Sequence, residues 1–462
     1  MKFDIAIIGS GPGGYVAAIR AAQLGKSVAI IEKAELGGVC LNWGCIPTKA
    51  LLKSAQVFDY INHATDFGIT VSNPKVDFDG MVKRSRGIAD GMSKGIAYLM
   101  KKNAIEVVKG TAKLAGKGKI SINDSEGKNF ILEAEHIILS TGSRSRELPN
   151  IKMDGTHIVG YREAMVLPKQ PKEMIIIGSG AIGMEFAYFY ASIGTTVTIV
   201  EFMPRILPIE DEDVSKAMSS VYKKRGITVM TDSSVEKVVV QKNRCFVTVK
   251  TKTGEISLES DIVLSAAGVQ TNLENLGLEE MGIKIDKGKV IVDDFYRTSA
   301  PGIYAIGDIV PGPALAHVAS AEGIICVEAI SGHHPSPLNY GNIPGCTYTH
   351  PEVASVGYTE AQAKEKGYDI IVGKFPFSAS GKASAGGHKE GFVKVIFDKK
   401  YGEWLGCHMV GEGVTDIIIE AVVARNLETT GLEILKSVHP HPTMSEAVME
   451  AVAQAYGECI HL

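Results

Sequence analysis

Nothing in this 462-residue sequence stays apolar and uncharged for the length that a membrane span needs. Its most apolar stretch, residues 174–194, carries Glu185 and several glycines. A basic face is missing as well. The net charge is −4 and no Lys/Arg stripe is present, so there is no electrostatic footprint for nucleic acid. The amino terminus has neither a basic n-region nor a small-residue cleavage site. No secretory signal peptide is therefore expected, and the cytoplasm is the default compartment. Charged residues make up 22%, an ordinary share that excludes wholesale disorder. Seven cysteines are too few over this length for a disulfide framework. Five of them, Cys245, Cys326, Cys346, Cys407 and Cys459, lie scattered, and most of these read as small buried hydrophobes. Cys40 and Cys45 differ in being close together and flanked by glycine.

Glycine, by contrast, is abundant at 50 residues, and the glycines cluster. Residues 4–32 read DIAIIGSGPGGYVAAIRAAQLGKSVAIIE, and residues 173–201 read EMIIIGSGAIGMEFAYFYASIGTTVTIVE. The two align without a gap. Each is a short apolar run, a GxGxxG turn, an Ala-rich helical stretch, a second apolar run and a closing acid. The glycines are Gly9, Gly11 and Gly14 in the first copy and Gly178, Gly180 and Gly183 in the second. This pattern predicts β–turn–α–β. The glycines allow the tight turn, the close approach of backbone to a pyrophosphate and the packing of helix on strand. The helix amino terminus offers free N–H groups and a positive dipole end to the phosphates. The closing Glu32 or Glu201 can accept a hydrogen bond from a ribose 2′-hydroxyl and would repel a 2′-phosphate. Two dinucleotide folds in one chain point to a flavin and a nicotinamide, and the glycines alone do not say which copy takes which.

The remaining pattern is coarser. Residues 73–100 read as helical, 104–139 as short strands ending in an STGS turn, and 235–264 as a meander. Residues 298–308 form a strand ending in Asp308, and residues 335–345 are Pro/Gly-rich and read as a linker. Beyond lie antiparallel-strand patterns at 392–398 and 404–410, then helical patterns at 414–426 and 445–456.

Cys40 and Cys45 sit in GGVCLNWGCIPTKALL, residues 37–52. Five residues of regular helix separate Cα atoms by about 8–9 Å, whereas a disulfide wants less than about 7 Å. A bond here needs a distorted turn, which Asn42 and Gly44 tolerate. A thiolate near a helix amino terminus is stabilised, which primes it for exchange. Lys49 follows Cys45 by one helical turn, on the same face. A structural disulfide and two free core thiols are the alternatives, and the first is disfavoured in a reducing compartment. A metal pair is opposed by the spacing and the lack of a nearby His, and no metal site is expected.

This segment, the paired repeats, APGIYAIGDI, LAHVASAEG and HPHPTMSEAVMEA together resemble the pyridine nucleotide–disulfide oxidoreductase family, nearly end to end. The resemblance implies an α/β chain with two Rossmann-like dinucleotide-binding domains and a C-terminal α+β dimerisation domain. The expected boundaries are 1–147 for an FAD-binding domain and 148–270 for an NAD-binding domain. A central domain at 271–340 would complete the FAD site, and a dimer-interface domain would span 341–462. It further implies that Cys45 faces the flavin and Cys40 exchanges with substrate. Lys49 would lie by the flavin and pair with Glu185, Asp308 would bind the ribityl chain, and Ala316 and His317 would contact the ring. Lys33, Ala112, Thr141 and Gly142 are further FAD positions, and Val235 and Gly268 join Gly178, Gly180, Gly183, Glu185 and Glu201 around NAD.

In the tail, Thr443 and Glu446 have capping-box spacing, which taken alone reads as a helix start. The resemblance instead makes His441 a general base contributed by the partner subunit of a homodimer, oriented by Glu446. A histidine beside a carboxylate is held in one tautomer and made more basic, as taking a proton from a thiol requires. Within the family, the chain is most similar to the branch that oxidises a protein-bound dihydrolipoyl group with NAD. It has Ile19 where the glutathione reductases carry arginine, and Cys459 is not part of a C-terminal redox pair. The expected partners are a lipoyl-bearing acyltransferase of a 2-oxo acid dehydrogenase complex or the glycine cleavage carrier protein. An NADH-dependent reductase of another small disulfide, or a flavoprotein sensor, are the rival readings. One departure stands out. Residues 267–272 read AGVQTN, without the family's arginine and proline, which bears on nicotinamide affinity and the domain junction.

Overall fold

The computed structural model describes residues 2–462. Two compact units emerge, each assembled from separated segments. One takes residues up to 50 with 79–146 and 269–338, the other 51–78 with 147–268 and 339–462.

The first unit is built on a seven-stranded sheet. Lys2–Ile8 lies at its centre, parallel to Val28–Glu32 on one side and Asn129–Leu139 on the other. Glu106–Lys109 extends the parallel part beyond Val28–Glu32, and Ile303–Ala305 pairs in parallel with Asn129–Leu139. Thr111–Leu114 and Lys119–Asn123 complete an antiparallel edge. Ile5, Ala6, Ile7 and Ile8 are all buried, the continuous apolar strand that a sheet covered on both faces requires. The helix Pro12–Gln23 leaves the first glycine turn and packs on the helix Ala316–Ile330. That crossing is close: a Cβ on Gly323 would lie 2.7 Å from Gly13 O.

In the second unit, five parallel strands run in the order Thr228–Met230, Thr196–Val200, Glu173–Ile177, Ile262–Ser265 and Ile158–Val159. The meander expected at 235–264 forms three antiparallel strands over 234–260, and its last apolar run, Ile262–Ser265, joins the parallel sheet. The tail folds into a five-stranded antiparallel sheet, against which Val414–Asn426 and Glu446–Tyr456 bury Ile418, Ala421, Val448 and Val452.

Two local expectations need correcting. The Pro/Gly-rich stretch at 335–345 is not a free linker. Asn342 within it is buried, donates to Val422 O at 2.9 Å and accepts from Arg425 Nε at 2.9 Å. At the last helix only half of a capping box exists. Thr443 N–H donates to Glu446 Oε2 at 2.7 Å, but the Thr443 hydroxyl donates to Pro440 O, because the helix starts at Glu446 rather than just after Thr443.

Candidate active site and cofactor cradles

The redox pair lies at a helix break. Gly38–Trp43 is a short helix, Gly44 leaves helical geometry at φ −142°, ψ −117°, and a new helix, Cys45–Asn62, starts at once. The break brings the Cys40 and Cys45 Cα atoms to 4.7 Å and closes the disulfide between them. Glycine eases the crowding at the break, where a Cβ would sit 3.0 Å from Val39 O and 3.3 Å from Cys40 Cα. Asn42 braces the short helix by donating to Leu36 O at 2.9 Å and Gly38 O at 3.0 Å. Arg86 donates to Asn42 O and lies over the Trp43 ring at 3.9 Å. The Cys45 sulfur thus stands in the first turn of an 18-residue helix, where unpaired N–H groups stabilise a thiolate. Lys49 occupies the next turn of that helix.

Both glycine turns have the shape of a phosphate cradle. Gly9 has φ +103° and Gly178 φ +99°, backbone conformations closed to L side chains. A Cβ on Gly14 would lie 2.0 Å from Gly9 O, and one on Gly183 2.1 Å from Gly178 O. At Gly11 and Gly180 nothing lies within 4 Å of a Cβ position, which is the open side where a pyrophosphate can approach. Each closing acid is tied back to its own turn. Glu32 accepts from Ser10 N at 2.9 Å, Ser10 Oγ at 2.7 Å and Ala34 N at 2.9 Å. Glu201 accepts from Ser179 N at 2.7 Å, Ser179 Oγ at 2.6 Å and Met203 N at 2.8 Å. A carboxylate has about four lone-pair sites, so each keeps one for a ribose hydroxyl. The residues present therefore fit two dinucleotides.

The other positions expected around FAD lie in the first unit. Thr141 donates through Oγ1 to Asn272 O at 2.7 Å, and Gly142, at φ +67°, accepts from Asn272 N at 2.9 Å. Asn272 Nδ2 returns a bond to Thr141 O at 3.0 Å. The departing AGVQTN segment thus keeps a working asparagine, and Val269–Thr271 pairs with Ser143–Ser145 beside it. Asp308 accepts from Ser143 Oγ, and its own carbonyl accepts from Lys289. Ala316 and His317 are the first two residues of the helix Ala316–Ile330. Ala112 is buried on the strand Thr111–Leu114, and Lys33 follows Glu32 at the strand end. In the second unit Glu185 is buried on the helix after the turn and accepts from Tyr348 N at 3.0 Å. Gly268 has φ +98°, and Val235 packs beside the cluster that holds Ile177 and Val200.

His441 and Glu446 form a dyad, with Nδ1 2.8 Å from Oε1. Burial raises the Glu446 carboxyl, but the Thr443 N–H and His441 outweigh it and hold the group below the usual carboxylate range. The imidazole is 78% exposed. Val438, three residues before His441, is exposed as well. His439 is paired elsewhere, with Nε2 2.8 Å from Glu420 Oε1.

Sequence reasoning missed Ser10 and Ser179, although both stand at the same place in the repeat and could have been found there. It also passed over Glu322, a buried carboxylate that accepts from Gly307 N at 2.6 Å and so fixes the turn carrying Asp308. Arg86 carries no sequence signal at all.

Known proteins resemble the chain along its whole length. The family model for pyridine nucleotide-disulphide oxidoreductases matches residues 3–323, and that for the dimerisation domain of the same family matches residues 343–452. The dihydrolipoyl dehydrogenase of Rhizobium etli is 49% identical over 477 residues, covering 100% of this chain and 99% of the relative. That of Zymomonas mobilis is 48% identical over 461 residues, covering 99% of each. Among solved structures, LpdA from Mycobacterium tuberculosis superposes with a TM-score of 0.91 at 26% identity, covering 97% of this chain and 99% of that one.

Proposed function

The chain belongs to the pyridine nucleotide–disulphide oxidoreductase family, and we propose from that premise a composite catalytic site that it forms as a homodimer. Within the family it is an FAD-containing enzyme that oxidises dihydrolipoyl groups to lipoyl groups and reduces NAD. The observation that carries this is the Cys40–Cys45 disulfide at the Gly44 break, opening a helix in a unit that also holds the first glycine cradle.

The chemistry of the chain's own residues follows. The partner subunit's His441, held by its carboxylate, takes the proton from one substrate thiol. The resulting thiolate attacks Cys40 Sγ, the Cys40–Cys45 bond breaks, and Cys45 leaves as a thiolate stabilised by the helix amino terminus. The partner's His441 releases its first proton to solvent and takes the proton of the second substrate thiol, and this thiolate attacks the sulfur joined to Cys40. The cyclic disulfide departs, and Cys40 carries away the electron pair as a thiolate. FAD held in the first cradle would supply the two-electron chemistry that links the reduced Cys40 and Cys45 to NAD. Gly9, Gly11, Gly14, Glu32, Thr141, Gly142, Asp308, Ala316 and His317 would hold FAD. Gly178, Gly180, Gly183 and Glu201 would hold NAD, with Glu201 disfavouring a 2′-phosphate.

The lipoyl group is carried by an acyltransferase of a 2-oxo acid dehydrogenase complex or by the glycine cleavage carrier, in the cytoplasm. No helix among the described residues is long and apolar enough to cross a membrane.

Hybrid dimers test the shared site. A dimer of one Cys45→Ser and one His441→Ala subunit should regain about half of the wild-type rate, because one site then has both an intact disulfide and an intact base. Each mutant homodimer should fall by roughly 10²–10⁴, the usual share of a general base or more. A hybrid as inactive as its parents would place the base within its own subunit and overturn the reading.

A further inference from the structure

Away from the redox pair, the second unit brings together three side chains from separate segments. His350, His388 and Glu412 each present a ligand atom, and these atoms all lie within 4.8 Å of one another. His350 Nδ1 is 3.0 Å from Glu412 Oε2, and the His350 and His388 rings meet edge to face at 5.1 Å. From these three side chains we infer a binding site for a borderline divalent transition-metal ion, of the class of Zn²⁺.

Four features support it. First, two imidazoles and a carboxylate are the donor set of many zinc sites, which leave a fourth position for water. Second, Glu412 Oε2 is buried and has no directed hydrogen bond among the described residues, although His350 is close enough to attract it. His350 already offsets part of that carboxylate's charge, and a cation between the two groups would serve both. Third, outer partners are in place, as ligating histidines need. Tyr60 Oη lies 3.2 Å from His388 Nε2 and can accept its N–H, and the Gln56 amide N–H donates to Glu412 Oε1 at 3.5 Å. Fourth, all three residues lie in the 339–462 segment of one compact unit, so a single body holds the cluster. A tetrahedral ion with bonds of about 2.0–2.1 Å sets its ligands about 3.4 Å apart. Closing the cluster around an ion therefore asks for side-chain rotations of about an ångström, without a backbone change.

The site is independent of the catalytic reading, since none of the three residues takes part in thiol exchange. The test uses oxidised holoenzyme, in which Cys40 and Cys45 are bonded to each other and cannot act as thiolate ligands. Equilibrium dialysis against Zn²⁺ should give one tightly held ion per subunit, and Co²⁺ in its place should show the visible bands of a tetrahedral ion. Glu412→Gln, which preserves shape, and His388→Ala should each weaken uptake at least tenfold, with flavin content and melting temperature kept as checks on folding. His441→Ala should leave uptake unchanged, which separates this cluster from the exposed His441–Glu446 dyad. No bound ion, or uptake that survives both Glu412→Gln and His388→Ala, overturns the proposal.

Discussion

The two glycine turns have nearly the same geometry and very different surroundings. Their first glycines share a φ near +100°, their third glycines carry the same tight approach to the first, and a serine ties each closing acid to its turn. Beyond the turn the likeness ends. The first helix is lined with small residues, and Gly13 packs directly on Gly323 of the helix Ala316–Ile330. The second helix buries Met184, Phe186, Tyr188, Phe189 and Tyr190, and Tyr222 Oη donates to Met184 O at 2.7 Å. A shared signature thus sets the cradle and its acid, while the packing of the following helix is set by residues outside the signature. In the first unit that helix is clamped backbone to backbone against the element carrying Ala316 and His317. In the second it rests on large side chains that can give.

The sharpest way to break the comparison is to close each turn. Gly9→Ala adds a Cβ 2.2 Å from Ser140 O at a forbidden φ, whereas Gly178→Ala meets Ala266 O at 2.8 Å. Both should destabilise, the first by about 2–4 kcal/mol. Gly9→Ala should purify without flavin, and Gly178→Ala should keep flavin but lose NAD turnover, as absorbance spectra and rate assays would show. Gly323→Ala comes next. Its Cβ would press on Gly13 O at 2.7 Å and should cost about 1–3 kcal/mol, read as faster flavin loss in dilute denaturant. An added methyl at a surface position of the second helix should do nothing comparable.

A smaller effect separates the acids. Glu201→Ala removes the charge facing a 2′-phosphate and should narrow the preference for NAD over NADP by about 10–100-fold, the worth of a charged hydrogen bond. Glu32→Ala should leave that preference unchanged and weaken flavin retention instead. The smallest effect concerns the open glycines. Gly11→Ala and Gly180→Ala meet no protein atom, so both should melt like wild type and show their cost only in cofactor affinity. An equal loss of stability would mean that the cradle is filled by protein and not by a pyrophosphate.

The cysteines offer a parallel contrast. Burial pushes the Cys245 thiol up to about 11 and raises Cys326 and Cys407 as well. In native enzyme reduced by NADH, only Cys40 and Cys45 should be alkylated rapidly, as peptide mapping would reveal.

What the sequence revealed, it revealed through local repetition. A GxGxxG turn between two apolar runs specifies its backbone within about thirty residues, so both cradles and both acids were legible. The redox pair was legible because glycine stands where five residues of helix must fold short. Reading failed where partners come from afar. Thr443 has capping-box spacing, yet its hydroxyl turns to Pro440 O because the helix begins later. Residues 335–345 look like a linker until Asn342 is seen held by Val422 and Arg425. His350, His388 and Glu412 share no motif, and only the fold of the tail and the helix beside it brings them together.

The most direct test of the account is the initial rate of NAD reduction by free dihydrolipoamide, with purified holoenzyme and with NADP and reduced glutathione as controls. Fast turnover with dihydrolipoamide and NAD, and little with either control, is the predicted result. A bound flavin that NADH reduces, with no turnover of dihydrolipoamide, would contradict it and point to another disulfide as the substrate.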